Sequence, residues 1–397
     1  MKHRSDYRTV AEESVAHTFL QGMDSEDVFD PSERLAALSS RPIPETVNED
    51  APRVLHISMY CYKSFPIRIF HVLSLKDGID SHAVFFKNNF TNDHLPVSDR
   101  ELDLLVDLVR DVDPHLITFS VLAPYVVATR KAIERIRRVS NAMIMLGGKY
   151  PTIAPHEALE FADYACKGDG DLIILRIHER LRNGEDLRGI RGLWYKDDHG
   201  QVVDMDQETL YQDMDHIPYP AIGEIQMHFI EKNALSNVDP ELFDDEMLIM
   251  AGRGCVYLCS FCVNSLLIPM NRGNGRFVRL RSPEHVLEEI NYRLSKCRRP
   301  SIITFNDEVF GVFDDWVADF AKVYKEKCDI PFECELVPRL VKEHNMELLA
   351  DAGMVSMHFG VQSGHDDVRN DIMHRPGSND ELIEKSDILK RVGITPQ

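Results

Sequence analysis

The sequence is short of basic residues and has no long apolar segment. Lysine and arginine number 45 against 65 aspartates and glutamates, a formal net charge of −20 at pH 7. Proteins that bind nucleic acid or anionic membranes through charge need a basic face, so this balance disfavours both partners. No apolar run reaches the roughly 18 residues that span a membrane, and the polar N-terminus lacks a signal peptide's apolar core. We therefore expect a cytoplasmic protein with no membrane span and no nucleic-acid partner.

The cysteines are too few and too scattered for a disulfide framework. Eight occur in 397 residues, at positions 61, 166, 255, 259, 262, 297, 328 and 334. Three of them fall close together and the other five stand alone. Thiols in a long cytoplasmic chain stay reduced, so the three clustered cysteines indicate a metal centre.

Strand and helix patterns alternate along two stretches of the chain. At roughly 100–200 residues per domain, the length predicts two or three domains. We predict an α/β protein with four segments: a polar extension with one or two short helices (1–50), a doubly wound, Rossmann-like parallel sheet (51–189), a connector (190–245) and a β/α barrel (246–397). In doubly wound sheets, ligands bind outside the carboxyl ends of the strands.

The second stretch reads as a partial (β/α)6 barrel. Its strand candidates are 247–251, 302–305, 332–336 and 355–359, each followed by a helical pattern or loop. The last residues, 393–397, look like the run into a fifth strand. A complete six-stranded barrel would need about two more units of roughly 25–40 residues each. We therefore expect a barrel that is either truncated or paired with another chain.

Three closely spaced cysteines follow the first strand of this barrel. Cys255, Cys259 and Cys262 form a C-x3-C-x2-C motif. Soft thiolates bind iron–sulfur clusters or zinc. A structural zinc site needs four closed ligands, often as two cysteine pairs, and the sequence has no second pair. A four-iron cluster with one iron left open is therefore the favoured reading, and a zinc loop is the alternative.

This spacing, with the aromatic Phe261 just before the third cysteine, resembles the radical S-adenosylmethionine (SAM) superfamily. The resemblance implies a 4Fe-4S cluster whose fourth iron binds the amino and carboxylate groups of SAM. It further implies that an electron from the cluster breaks the sulfonium bond and yields a 5′-deoxyadenosyl radical. The electron would come from an external donor such as flavodoxin or ferredoxin.

Later strand ends carry the residues that the resemblance assigns to SAM. Asn306 and Asp307 end the second barrel strand, where the superfamily contacts the methionine moiety. Glu335 and Arg339 follow the third strand, and Arg339 could pair with the ligand carboxylate as a bidentate fork. Gln362 stands where the superfamily has an acidic residue that contacts the ribose hydroxyls. An acidic turn at Asp307 and a surface ion pair at Arg339 are the alternatives.

The sheet together with the barrel resembles the cobalamin-binding branch of the superfamily, from about residue 53 onward. Three segments carry this likeness: 120–125 after the third strand, the Gly-Gly-x-x-Pro-Thr-like 147–152, and the Gly-Glu-Gly-Glu-like 168–171. The resemblance implies cobalamin contacts at Ser120, Leu122, Gly147, Gly148, Gly168, Asp169 and Gly170. Glycines there would let the corrin ring and its nucleotide tail approach the backbone.

The motif by which many cobalamin domains ligate cobalt, Asp-x-His-x-x-Gly, is absent. Its nearest counterparts centre on His82, His115 and His199, and none is followed by glycine three residues later. The radical branch often binds cobalamin without a protein histidine. The resemblance therefore implies either this mode or a sheet that binds no corrin.

The function that these patterns favour is that of a cobalamin-dependent radical SAM enzyme. It would transfer a methyl group to an unactivated carbon of a small-molecule or natural-product substrate, or cyclise or rearrange that substrate. One alternative is a radical SAM enzyme with a corrin-free sheet. Another is a non-catalytic iron–sulfur or zinc module.

Replacing Gln362 tests the assigned ribose contact. A neutral hydrogen bond contributes about 1 kcal/mol, so we expect Gln362→Leu to weaken SAM binding about five- to thirtyfold. Gln362→Glu should keep or modestly tighten binding, because a carboxylate accepts from both hydroxyls. Titration of the cluster-loaded protein measures both. Unchanged affinity in Gln362→Leu would contradict the contact.

Overall fold

The computed structural model describes residues 29–88 and 96–397 of the chain. Residues 1–28, most of the predicted polar extension, lie outside the described residues, so the helices expected there stay a prediction. The rest of the extension contains helix α1 (Pro31–Ser39), whose Leu35 and Leu38 are fully buried. No helix in the two described ranges is both long and apolar enough to cross a membrane.

The first half of the chain alternates strands with helices, as predicted. The strands are β1 (Arg53–Met59), β2 (Asp80–Phe86), β3 (Leu116–Ser120), β4 (Met143–Gly147) and β5 (Tyr164–Cys166). The helices are α2 (Phe65–Lys76), α3 (Asp99–Val112), α4 (Val126–Ile136), α5 (Lys149–Ile153), α6 (Pro155–Ala158) and α7 (Asp171–Arg182). The strands are near-continuous apolar runs because helices cover both faces of a parallel sheet. Helix α3 begins at a capping box in which Ser98 and Glu101 bond each other's backbone N–H.

These strands form a parallel sheet in the order β5-β4-β3-β1-β2. Strand β1 lies between β2 and β3, with His56 opposite Thr118 of β3 and Ser58 opposite Ser120. The chain adds β2 on one side of β1 and then β3, β4 and β5 on the other. Such a switch in direction leaves a crevice outside the carboxyl ends of β1 and β3.

Residues 190–245, predicted as a connector, supply four more strands to this sheet. Strands β6 (Leu193–Lys196) and β7 (Val202–Val203) form an antiparallel hairpin, which extends the sheet beyond β5. Strand β8 (Met227–Glu231) pairs parallel with β2, and β9 (Ala234–Ser236) pairs antiparallel with β8. The sequence analysis does not predict β8 and β9. The described part of this sheet has nine strands.

The second half of the chain forms a separate parallel sheet. The strands of this half of the chain, two of which lie outside that sheet, are β10 (Glu246–Ile249), β11 (Gly252–Arg253), β12 (Arg279–Leu280), β13 (Ile302–Phe305), β14 (Phe332–Glu335), β15 (Met354–His358) and β16 (Thr395–Pro396). Its helices are α8 (Asn264–Met270), α9 (Pro283–Lys296), α10 (Asp314–Lys327), α11 (Glu343–Asp351) and α12 (Asn379–Arg391). Strands β10, β13, β14, β15 and β16 lie side by side in this order, all parallel. The predicted class, a doubly wound sheet followed by part of a β/α barrel, is confirmed.

Strands β11 and β12 form a small antiparallel pair beside the second sheet. They pair Gly252 with Leu280 and Arg253 with Arg279. The chain between them contains the three clustered cysteines and α8. This pair therefore closes the base of the cysteine loop, and the sequence analysis predicts neither strand.

A buried ion-pair cluster links α2 to the segment that leads into β10. Arg68 of α2 is 1% exposed and makes a bidentate contact with Asp239, at 2.7 and 2.9 Å. Its Nε lies 2.8 Å from Glu241, which also pairs with Arg293 of α9. Charges this deeply buried are tolerated only when paired, so this cluster fixes the packing of the two sheets' helices.

Replacing Arg68 tests this cluster. Arg68→Met leaves two buried carboxylates short of a partner, so we expect the free energy of unfolding to fall by about 3–5 kcal/mol. The matched control is Arg110→Met, since Arg110 pairs with Asp107 on the surface at 3.0 Å. An exposed pair contributes about 1 kcal/mol or less. Urea denaturation measures both variants, and equal losses would contradict the assignment.

Candidate functional site

A cavity of about 360 Å³ lies where the carboxyl ends of the two sheets face each other. From the first sheet it is lined by the ends of β3 and β4, by the loop after β5 and by helices α2 and α7. From the second sheet it is lined by the loops after β10 and β13, by Arg279 of β12 and by α8. The principal lining residues are Phe65, Ile67, Phe70, Thr118, Ser120, Met145, Gly147, Gly148, Gly168, Asp169, Gly170, Ile173, Gly252, Arg253, Gly254, Asn271, Arg279, Asn306 and Glu308.

Seven of the predicted cofactor-binding residues line this one cavity. They come from four strand ends or loops far apart in sequence: Ser120, Gly147, Gly148, Gly168, Asp169, Gly170 and Asn306. Leu122 does not line it and is 44% exposed at the start of a 3-10 turn. The structure thus brings together most of the positions predicted in the first sheet, while their roles in binding stay a prediction.

At three of the predicted glycines, neighbouring protein atoms leave no room for a Cβ. A Cβ on Gly148 would lie 3.0 Å from the carbonyl oxygen of Val121. A Cβ on Gly170 would lie 2.6 Å from the ring of Phe70. Gly168 has a positive φ, and a Cβ there would lie 2.7 Å from the amide of Gln207. The local packing needs these glycines whether or not a ligand approaches them.

The cysteine loop starts directly beside the cavity. Gly252, Arg253 and Gly254 line the cavity, and Cys255 follows them. Cys255 and Cys259 are buried, and Cys262 is partly exposed. The loop closes on itself, since the N–H of Cys262 donates to the carbonyl of Cys259 at 3.0 Å.

Two donors reach the cysteine sulfurs. The backbone N–H of Tyr257 donates to Cys255 Sγ at 3.4 Å, and Arg375 donates to Cys259 Sγ at 3.7 Å. Burial raises the pKa of the Cys255 thiol, and the Tyr257 N–H opposes that rise. Donors of this kind stabilise thiolate, the form that binds metal. The sequence analysis does not predict Arg375. Its contact with the cysteine loop is evident only from the folded structure, in which the chain after β15 lies against that loop.

The chain after β15 also holds the cysteine loop in place. The N–H of Ser260 donates to the carbonyl of Met373 at 3.0 Å, and its hydroxyl donates to the carbonyl of Ile372 at 2.6 Å. Arg375 also donates to the carbonyl of Gly360 at 3.3 Å. The cysteine loop is therefore positioned by a segment more than a hundred residues further along the chain.

The donor set fits an iron–sulfur cluster better than a single ion. No group of three or more His, Cys, Asp or Glu residues in the described ranges is gathered around one point as for a single metal ion. A four-iron cluster makes a different demand, because each thiolate binds its own iron and the sulfurs stay apart. Three soft thiols on one loop, two of them with N–H donors, meet that demand.

Asp307 lies beneath the loop and does not line the cavity. It is 3% exposed, and its Oδ2 accepts from the N–H of Ala251 at 3.1 Å. Its other oxygen, Oδ1, is buried without a hydrogen-bond partner. Burial raises the pKa of Asp307 to about 7, against the opposing effect of the Ala251 N–H. A contact with methionine groups, as predicted, would have to be made through Oδ1.

The remaining predicted SAM contacts lie outside the cavity. Arg339 is half-exposed, and its guanidinium lies 3.8 Å from the carboxylate of Glu381. This contact is the surface ion pair given above as the alternative role of Arg339. Glu335 and Phe261 are exposed. Gln362 is exposed with a φ of +66°, close to Gly360. The roles of these side chains stay predictions.

Two arginines of the second sheet pair with the acidic residues of the Gly-Asp-Gly-Asp segment. Arg253 lies 2.6 Å from Asp171 and 3.4 Å from Asp169, and Arg279 lies 2.8 Å from Asp169. Burial would raise the pKa of Asp169, but the charges of Arg279 and Arg253 outweigh it and hold that pKa below its ordinary value. Asp169 therefore lines the cavity as a paired carboxylate, a partnership that no sequence pattern indicates.

A second polar bridge crosses the cavity. Lys149 follows Gly147 and Gly148 and lies 3.1 Å from Glu308, which follows β13. Glu308 also accepts from Asn264 at 3.2 Å, two residues after the last clustered cysteine. The Asn264 Oδ1 is buried without a hydrogen-bond partner. Glu308 thus joins the first sheet, the second sheet and the cysteine loop.

Comparison with known proteins identifies the class of this site. Residues 249–396 match the model of the Radical SAM superfamily. The chain is 24% identical over 273 residues to an uncharacterized methyltransferase of Pyrococcus horikoshii, covering 65% of this chain and 54% of the relative. It is also 24% identical over 156 residues to an anaerobic magnesium-protoporphyrin IX monomethyl ester cyclase of Synechocystis, covering 38% of this chain and 28% of the relative.

Two solved structures share the fold across both sheets. The cobalamin-dependent SAM radical enzyme OxsB, solved with aqua-cobalamin and SAM, has a TM-score of 0.67 at 16% identity, covering 88% of this chain and 49% of OxsB. The radical SAM methyltransferase TsrM of Kitasatospora setae has a TM-score of 0.62 at 16% identity, covering 87% of this chain and 66% of TsrM. This chain spans about half the length of the methyltransferase relative and of OxsB.

Residues 249–396 therefore resemble radical SAM domains, and the predicted resemblance to this superfamily is confirmed over that range. The chain's two-sheet fold is that of cobalamin-dependent radical SAM enzymes. Domains of this superfamily take a 4Fe-4S cluster and SAM, which the donor set on Cys255, Cys259 and Cys262 fits.

The raised pKa of Asp307 predicts a pH-dependent stability. The folded pKa of about 7 lies above the unfolded value near 4, so the folded state binds the extra proton between these values. Stability is then lost as pH rises from about 4 to 7. Asp307→Asn removes this charge, so we expect the variant to gain stability relative to the wild type at pH 8 and less at pH 5.

Thermal unfolding at the two pH values measures this difference. The control is Asp315→Asn, because Asp315 is exposed on α10. A difference between Asp307→Asn and wild type that is the same at both pH values would show that Asp307 is ionised in the folded protein.

Proposed function

We propose that this chain is the cofactor-binding part of a cobalamin-dependent radical SAM methyltransferase. The 4Fe-4S cluster would be held by Cys255, Cys259 and Cys262, and SAM would lie at the open side of the cysteine loop. Cobalamin would occupy the cavity between the two sheets. The substrate would be a small molecule or natural product with an unactivated carbon, and the electron would come from an external donor such as flavodoxin or ferredoxin.

One observation carries this proposal. The cavity is lined both by the strand ends of the first sheet and by the residues immediately before the cysteine loop, Gly252 to Gly254. Helix α8, which begins just after the third cysteine, contributes Leu267 and Asn271. A ligand in this cavity would touch the first sheet and the base of the cluster loop together. Two cofactors that must exchange a group need this closeness.

The walls of the cavity suit a large ligand with an apolar body and a polar periphery. Its apolar side comes from Phe65, Ile67, Phe70, Met145 and Ile173. Its polar side comes from Thr118, Ser120, Asn271, Asn306 and the paired charges. The space free of protein atoms reaches about 1540 Å³ when the part open to solvent is included. This combination is typical of cofactor sites at domain junctions.

No histidine is among the residues that line the described cavity. His82 instead stacks on His228 and bonds it at 3.1 Å, and His115 accepts from the backbone N–H of Arg53. His199 lies in the turn between β6 and β7. This placement supports the proposal that cobalamin binds here without a protein histidine on cobalt.

The chain's own residues would position the cofactors and exclude water. When bound, the cluster and SAM supply a 5′-deoxyadenosyl radical, and cobalamin supplies a carrier for the methyl group. Arg375 and the Tyr257 N–H would stabilise the thiolates, and Glu308 would hold Lys149 against the cavity wall. The paired arginines Arg253 and Arg279 keep the two sheets together around the site.

Cyclisation is the second candidate reaction. The observation that favours it is the similarity to the Synechocystis cyclase over 156 residues. Methyl transfer remains the first candidate because the methyltransferase relative covers 65% of this chain against 38% for the cyclase.

Anaerobic reconstitution with iron, sulfide and hydroxocobalamin tests the proposed function. We expect about four irons per chain, together with bound corrin seen by its absorbance and release of 5′-deoxyadenosine from SAM after reduction. Cys255→Ala should lose the iron. Resonance spectra of the Co(II) form should lack the nitrogen hyperfine splitting of a protein imidazole.

The matched control is Cys328→Ala, a partly buried cysteine outside the loop, which should keep the full iron content. Zinc bound in place of iron after reconstitution would overturn the cluster. Iron and 5′-deoxyadenosine without any corrin binding would leave a radical SAM enzyme and overturn its dependence on cobalamin.

A further inference from the structure

A chain of five hydrogen-bonded side chains runs from the cavity wall into the first sheet's core. Thr118 Oγ1 lies 2.8 Å from His56 Nδ1, and His56 Nε2 lies 3.0 Å from Ser74 Oγ. Ser74 Oγ lies 3.0 Å from His178 Nε2, and His178 Nδ1 lies 2.9 Å from Asp77 Oδ2. Thr118 lines the cavity and is 3% exposed, and the side chains of the other four are fully buried.

The inner end of this chain carries a fixed negative charge. Asp77 pairs with Arg182 and with Arg34, whose Nε lies 2.6 Å from Oδ1. Burial would raise the pKa of Asp77, but the hydrogen bond from His178 and the two arginines hold it below its ordinary value. A carboxylate in this state has no proton and only accepts hydrogen bonds.

This fixed acceptor sets the direction of every other hydrogen bond in the chain. Burial lowers the pKa of both His56 and His178, so each ring is neutral, donates at one nitrogen and accepts at the other. His178 must donate from Nδ1 to Asp77 and accept at Nε2 from the Ser74 hydroxyl. Ser74 then accepts from His56 Nε2, and His56 Nδ1 accepts from the hydroxyl of Thr118.

The hydroxyl proton of Thr118 is therefore directed into the protein. The oxygen keeps its other lone pair, so any polar contact that it makes with a ligand in the cavity is as an acceptor. For Thr118 to donate outward instead, at least the three hydrogen bonds between Thr118 and His178 would have to reverse. Reversal would need an extra proton on His178 or Asp77, because one of them would have to carry it in a buried site.

We propose that Thr118 is an acceptor subsite of the cavity, which selects a ligand group that carries an N–H or O–H donor, such as a primary amide. This inference rests on the proposed cobalamin site, since the corrin periphery carries primary amides. A ligand group that can only accept would meet the Thr118 oxygen, which also only accepts on this side, and no hydrogen bond could form between them. Two buried acceptors in contact are left unpaired, which disfavours such a ligand.

Replacing Thr118 tests the subsite on the full chain. Thr118→Val keeps the shape and removes the acceptor, so we expect hydroxocobalamin to bind about five- to tenfold more weakly, the range for loss of one neutral hydrogen bond. Thr118→Ser keeps the hydroxyl and should bind within about twofold of the wild type. Spectroscopic titration measures all three proteins.

The tautomers of His56 and His178 give a second test, which uses the wild-type protein and so does not require a variant to fold. Nitrogen NMR of the wild-type imidazoles should show His56 unprotonated at Nδ1 and His178 protonated at Nδ1. Both tautomers should persist after hydroxocobalamin binds. The opposite tautomers, or their inversion on binding, would show that Thr118 donates to the ligand and would overturn the inference.

The outcomes separate this inference from the proposed function. Equal affinity in Thr118→Val and wild type, with the wild type binding hydroxocobalamin, overturns the subsite alone. A wild type that binds no hydroxocobalamin overturns the cobalamin site and the subsite together.

Discussion

The buried charges at the facing edges of the two sheets must be paired, and this constraint organises the site. Asp169 and Asp171 follow β5, while Arg253 and Arg279 belong to the small β11–β12 pair of the second sheet. Either set alone would place uncompensated charge in a poorly solvated junction, at a cost of several kcal/mol. Because they meet, the carboxyl ends of both sheets face each other, and the cavity between them follows from that arrangement.

Because of this constraint, several residues around the cavity that were predicted to bind cobalamin also have a structural role. Asp169 fits the segment that the sequence assigns to cobalamin, yet its charge is already used by Arg279 and Arg253. Gly148, Gly168 and Gly170 are likewise needed by neighbouring protein atoms. The polar groups free to meet a ligand are instead neutral ones, among them Thr118, whose oxygen is an acceptor by the argument from Asp77. Neutral groups suit a ligand with many amides better than one with many charges.

Local signals in the sequence predicted most of the fold. An apolar run placed β13 at the boundaries seen in the structure, and the C-x3-C-x2-C motif predicted the domain class. Strands β8 and β9, at one end of the first sheet, were missed because strand propensity depends strongly on the neighbouring strands. Partner choice was also beyond the sequence: that Arg253 meets Asp171, or that Arg375 reaches Cys259, depends on contacts between residues more than 80 positions apart. No periodicity records such contacts.

The position of Arg375 shows how the two predicted halves of the SAM site depend on each other. Arg375 donates both to Cys259 Sγ and to the carbonyl of Gly360, at the end of β15. Gln362, which the resemblance assigns to the ribose, lies two residues beyond Gly360 and has a left-handed backbone conformation, with a φ of +66°. Glutamine is uncommon in that region, and such strain persists where surrounding contacts hold it. The Arg375 guanidinium therefore connects the loop that would hold the cluster to the turn that would hold the nucleoside, so a shift of either would move the other.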